Sequence, residues 1–221
     1  LVLSNPYIRW IAALFLLLNL VNTTGEFILA TLVEDRANEV ASGDPGAWIG
    51  SFYGDFYFWV NIGAIGVQAL LVSRLVKWTG LAGVLFLLPA ISLGTYGLVA
   101  FGVGLGVFRW AKTAENLTDY SVMNTAKAMI WLPTSKAEKY KAKAAIDTFV
   151  VRIGDVASAA VVYVGLNLLG FGPQQFGMIN LAAIAAWLFV AFQVWRHYRS
   201  ADTEEGAEEA GDDGREAEAA A

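Results

Sequence analysis

Six apolar runs set the terms for this chain, at about 8–33, 48–72, 80–103, 104–131, 143–170 and 177–196. Each reaches or exceeds the roughly 20 residues needed to cross a hydrocarbon core about 30 Å thick. Inside lipid the backbone must satisfy its own hydrogen bonds, so such runs fold as helices. The chain is 57% hydrophobic and its mean hydropathy is +0.51, too apolar for an ordinary soluble domain. The expected fold is all-α: a polytopic membrane bundle of six transmembrane helices occupying residues 1–199.

The fourth and fifth runs carry charges that a lipid-facing helix could not hold. The fourth contains Arg109, Lys112, Glu115, Asp119 and Lys127, and the fifth contains Asp147, Arg152 and Asp155. An ionised group at the bilayer centre costs roughly 2.5–3.5 kcal/mol even on insertion scales. These side chains must therefore face water or one another, and the two helices are expected to line a pathway for a polar solute.

Charge also sets the expected topology. The ends holding Arg9, Arg74, Lys77, Lys136, Lys139, Lys141, Lys143, Arg196 and Arg199 carry nine bases, whereas the opposite loops carry only Arg36. The positive-inside rule places both termini and the basic loops in the cytoplasm. The formal net charge of −5 is set by residues 202–221, where nine acids meet one base; the remainder has 14 bases and 11 acids. This Ala/Glu/Gly/Asp-rich end, 200–221, is expected to be a disordered acidic cytoplasmic tail. The first run is too long for a signal-peptide core, so no cleaved leader is expected. A start at Leu1 rather than Met suggests a piece of a longer protein.

Boundary signals agree with these spans. Asp44-Pro45-Gly46 opens the second, Pro133 closes the fourth, and Ser135 to Glu138 fits a capping box opening the fifth helix. Pro89 lies in the middle of the third span, where a kink is expected.

Three polar faces hold the candidate residues. In the first span Asn19, Asn22, Thr23 and Glu26 share one helical face. Glu26 is either a proton, cation or substrate contact, or part of an interhelical hydrogen-bond cluster. In the fourth span Lys112, Glu115, Asn116, Asp119 and Lys127 form a stripe: a proton relay, or a self-neutralising ion network. In the fifth, Lys143 and Asp147 lie one turn apart, as do Arg152 and Asp155. Arg152 is the preferred anion contact, because guanidinium presents a planar fork; permanent pairing with Asp155 is the alternative. Asp55, near the outer end of the second span, is either a gating carboxylate or an interfacial residue. There are no cysteines, metal-ligand spacings, catalytic triads or phosphate loops, so no cofactor, no metal, no enzyme activity and no nucleic-acid partner are expected.

The stretch from Glu115 through Pro133, with Glu138-Lys-Tyr-Lys-Ala-Lys-Ala-Ala-Ile-Asp-Thr148, resembles the ATP:ADP antiporter family of nucleotide translocases. Asn22-Thr-Thr-Gly-Glu26 and Tyr53-Gly-Asp-Phe56 are similar to places in that family's seventh and eighth spans. The resemblance implies a major-facilitator-like carboxyl-terminal half, with an amino-terminal six-helix half as partner and a nucleotide or other organic anion as substrate. It also implies roles in nucleotide transport for Glu26 and for Lys141 and Lys143. Lys112, Lys127, Lys143 and Arg152 are then the expected substrate contacts. Glu26, Asp55, Glu115, Asp119, Asp147 and Asp155 are the expected coupling or gating acids. A bacterial inner membrane is the simplest setting. The span charges, with more acids than bases, keep two alternatives open: a proton-coupled carrier of a small anionic metabolite, and a non-transporting membrane module.

Overall fold

The computed structural model describes residues 5–41 and 43–219, with the side chains of 136–138 and 201–219 excepted. Among these residues every regular element is helical. Six rods follow in order. The first three are α1 (Pro6–Val40), α2 (Pro45–Leu70) and α3 (Val72–Ala100). α4 comprises Leu105–Thr118, a π-helical turn Asp119–Met123 and Asn124–Met129. α5 comprises Lys136–Ala145, a second π turn Ile146–Val150 and Val151–Asn167. α6 is Pro173–Ala219.

Local chemistry explains the boundaries. The Asn5 side chain accepts from the Tyr7 amide at 2.9 Å and that of Asp44 from Gly46 at 2.8 Å, each followed by proline at the first helical position. Both satisfy amides that a helix start leaves without partners. Gly102 (φ 82°) makes the tight turn into α4, and Gly170 (φ 63°) makes the one into α6. In α3 the break falls at Gly80, whose φ of 60° and ψ of −152° interrupt the helix, rather than at the expected Pro89. Proline's fixed φ fits a helix, whereas positive φ is available chiefly to glycine.

Four helices are long and apolar enough to cross a membrane: Pro6–Val40, Val72–Ala100, Lys139–Asn167 and Pro173–Ser200. The other two, α2 and α4, match the remaining expected spans but fall short on composition. α2 is rich in aromatic and polar residues, and α4 carries the charges. The protein is an all-α membrane helix bundle. α6 runs on as helix to Ala219, where the sequence reading expected an unfolded tail; its Ala- and Glu-rich composition favours helix intrinsically. The acidic side chains there lie outside the described residues.

α1 is the central element. It packs on α6, α5, α2 and α4, while α3 packs on α6 and α4 and α2 on α4. Its buried stripe, Ile8, Ile11, Leu14, Leu18, Val21, Ile28, Leu29 and Val33, follows the helical period. α5 is peripheral: 17% of its most apolar window is buried, against 44% in α1. Trp59, Ile65, Phe149, Val156 and Phe189 are exposed, as expected of surfaces that meet lipid or another helical domain.

Candidate functional site

The centre of the bundle holds a buried ionic network built from α1, α3 and α4. Lys112 is fully buried, and its Nζ lies 3.1 Å from Glu115 Oε2 and 3.4 Å from Glu26 Oε1. The same ammonium donates to Asn22 Oδ1 at 3.2 Å and to the Tyr96 hydroxyl at 3.3 Å. Glu115 is also buried, accepting from Ser92 Oγ at 2.8 Å and from Tyr96 OH at 3.2 Å. Glu26 accepts from Asn116 Nδ2 at 3.0 Å and keeps 34% of its side chain exposed. Lys112 is thus shared between a sunken carboxylate on its own helix and a half-open one on α1.

Glycine permits this arrangement. A Cβ on Gly25 would collide with the Tyr96 oxygen and stand 3.0 Å from Lys112 Nζ. Only a bare backbone at this point of α1 lets Tyr96 come in from α3 and reach both Lys112 and Glu115. On the same helix, Asn180 of α6 donates to the Val21 carbonyl at 3.1 Å.

The other expected residues fall into three places. Asp119 pairs with Lys127 at 3.2 Å across the π turn of α4, and both are largely buried. Lys127, Lys143 and Asp147 border a cavity of about 360 Å³ at the lysine-rich end, together with Asn124, Phe15 and Trp131. A pocket of about 10 Å³, room for roughly one water, lies between Asn22, Glu115 and Asp119. Arg152 is 81% exposed and pairs with Asp155 at 3.2 Å. Asp155 also accepts from Asn19 Nδ2 at 2.7 Å, which fixes α5 against α1 where Gly154 leaves room. At the opposite, acidic end, Asp55 is 70% exposed and stands 3.9 Å from Arg109. The structure therefore joins Glu26, Lys112 and Glu115 in one cluster and keeps Lys143, Arg152 and Asp55 apart from it.

Sequence reasoning missed Ser92, Tyr96 and Asn180. The first two had a signal, polar residues at i and i+4 within an apolar span. Asn180 had none beyond being a lone amide in an apolar run. The two π turns, which take in Asp119 and Asp147, leave no mark in local composition; such turns recur at functional sites.

The family model described as TLC ATP/ADP transporter covers residues 90–198, and so supplies Ser92, Tyr96, Lys112, Glu115 and every candidate of α4 and α5. No curated protein and no solved structure matches the chain. The stretch whose residues resemble the nucleotide translocases, Glu115 to Thr148, lies inside the match, whereas the similar motifs of α1 and α2 lie before it. Over residues 90–198 the chain is similar to the TLC ATP/ADP transporter family.

Proposed function

We propose that this chain forms one six-helix half of a transporter that moves a nucleotide or related organic anion by alternating access. What carries the reading is that the family-matched stretch, 90–198, is also the stretch that puts Lys112 and Glu115 into the buried network. Structural packing alone would be served as well by apolar side chains, since buried ion pairs are often no more stabilising than hydrophobic ones. A cation held by two helices, one of whose acids still reaches the surface, suits a site that must change partners.

The roles follow from position. Lys112 holds α1 to α4 through Glu26, and rearranging that contact frees the two helices to move. Lys127 and Lys143, on either side of the 360 Å³ cavity, meet the anion at the basic end, with Asp119 and Asp147 as the acids that take the lysines back. Arg152 stands exposed on α5 beside the apolar Phe149, Ile153 and Val156. A guanidinium so placed cannot face acyl chains; a facing amino-terminal half with a wet interface answers that requirement, as in transporters that bind substrate between repeats. The distribution of basic residues supports both termini in the cytoplasm, and a bacterial inner membrane is the simplest setting.

The test uses the native full-length protein in liposomes. Labelled ATP should enter vesicles preloaded with ADP and not empty ones, and Arg152→Gln should abolish that uptake with membrane insertion unchanged. Uptake of the same rate in the variant would remove Arg152 from the site. A second reading, proton-coupled import of a less charged anion, is favoured by the buried network itself, where two carboxylates face one ammonium. In that case, outside acid would drive uptake into empty vesicles, and Glu26→Gln would make uptake insensitive to the pH gradient.

A further inference from the structure

At the acidic end, remote from the lysine-bordered cavity, a second cavity of about 630 Å³ opens between the α1–α2 connection and the start of α4. Its walls combine an aromatic shelf with an arginine in need of an acceptor. The Trp48 and Phe52 rings stack at 5.8 Å with an interplanar angle of 20°. The Arg109 guanidinium sits over Phe52, 5.1 Å from the ring centroid, and near Trp110 at 5.5 Å. Its Nε is buried without a hydrogen-bond partner. Its nearest carboxylate, Asp55, stands 3.9 Å away, too far for a hydrogen bond. A planar fork placed by cation–π contact but left without an acceptor is a preformed half of a bidentate site.

Charge and shape restrict what fits. Arg36, also in the lining, is already paired with Glu39 at 2.9 Å, and Asp35 remains beside them. The lining charges of Asp35, Arg36, Glu39 and Arg109 cancel, with Asp55 adding a negative charge nearby. One anionic group is matched by Arg109, and a run of several phosphates is not, since like charges repel strongly where water is sparse. Gly104 and Gly106 line the cavity, and a Cβ at either would meet nothing within 4 Å.

We propose that this cavity is a binding vestibule for a planar aromatic anion with a single phosphate or carboxylate: the ring lies on Trp48, beside the Phe52–Arg109 contact, and the anionic group takes the Arg109 fork, displacing Asp55. The inference rests on the transport reading only in choosing a nucleoside as the aromatic part.

The test is tryptophan fluorescence of the full-length protein in lipid nanodiscs, titrated with adenosine monophosphate, adenosine or inorganic phosphate, with Trp48→Phe identifying the signal. The monophosphate should quench Trp48 saturably, and adenosine or phosphate alone should not. Arg109→Gln should weaken binding about tenfold or more, the scale of one charge-assisted fork. Asp55→Asn should tighten it by removing the competing acid. Gly106→Phe should fill the cavity and abolish quenching, with an unchanged melting temperature showing that the fold is intact. Equal binding of adenosine and its monophosphate, or quenching that survives both Arg109→Gln and Gly106→Phe, overturns the vestibule. Nucleotide uptake without Trp48 quenching would sink this site and leave the transport reading standing. Quenching without any uptake would do the reverse.

Discussion

Lys112→Met should be the most damaging single substitution in this chain. It removes the one ammonium within reach of both Glu26 and Glu115, and Glu115, 4% exposed, is left as a carboxylate with only hydroxyl donors. Breaking a buried pair from one side costs about 3–5 kcal/mol, a large share of the stability of most proteins. The expected result is a sharp loss of folded, monodisperse protein and of melting temperature in detergent. Adding Glu115→Gln should restore most of the stability, because the orphaned charge is gone, yet should not restore transport. Full activity in the double variant would show that the network is scaffolding. A Lys112→Met protein as stable as the parent would show that the buried contact is not as described.

Gly25→Ala should come second. Its new methyl group would occupy the space of the Tyr96 hydroxyl, so either Tyr96 or the α1 backbone has to move. Overpacking of this kind costs about 1–3 kcal/mol. It also withdraws the tyrosine from Lys112 and Glu115 together, so uptake should fall more than stability does. Tyr96→Leu, which shortens the intruding side chain, should recover melting temperature in the Gly25→Ala background without recovering uptake. If Gly25→Ala alone transports normally, the close approach of Tyr96 plays no part in the mechanism.

These two predictions differ in how far the sequence could have led to them. Lys112 and Glu115 lie three residues apart within an apolar helix, so their mutual pairing follows from helical geometry. Glu26 belongs to an evident polar stripe with Asn19 and Asn22, and its meeting with Lys112 needed only the guess that polar faces meet. The part played by Gly25 was not legible, because it depends on Tyr96 arriving from a helix some 70 residues away in sequence. Helix boundaries at Asp44-Pro45 and after Pro133 could be read directly from capping and proline chemistry. The break at Gly80 was not, since proline is the louder signal and glycine is common throughout these spans. Arg152 shows a further limit. Its spacing to Asp155 foretold the pair, but exposure depends on which neighbours α5 has, and α5 packs on α1 at one edge of the bundle.

Each π turn stores one residue more than the α-helical turn it replaces. Expelling that residue from Asp119–Met123 would turn everything beyond it by about 100°. Lys127 would swing away from Asp119, while Lys112 and Glu115, on the near side, stayed where they are. Such a change would re-aim one end of the charged helix with its other half still clasped. A spin-label pair spanning Asp119 to Lys127 would register that rotation as a change in distance upon addition of nucleotide, and an invariant distance would leave the stored residue as a static feature.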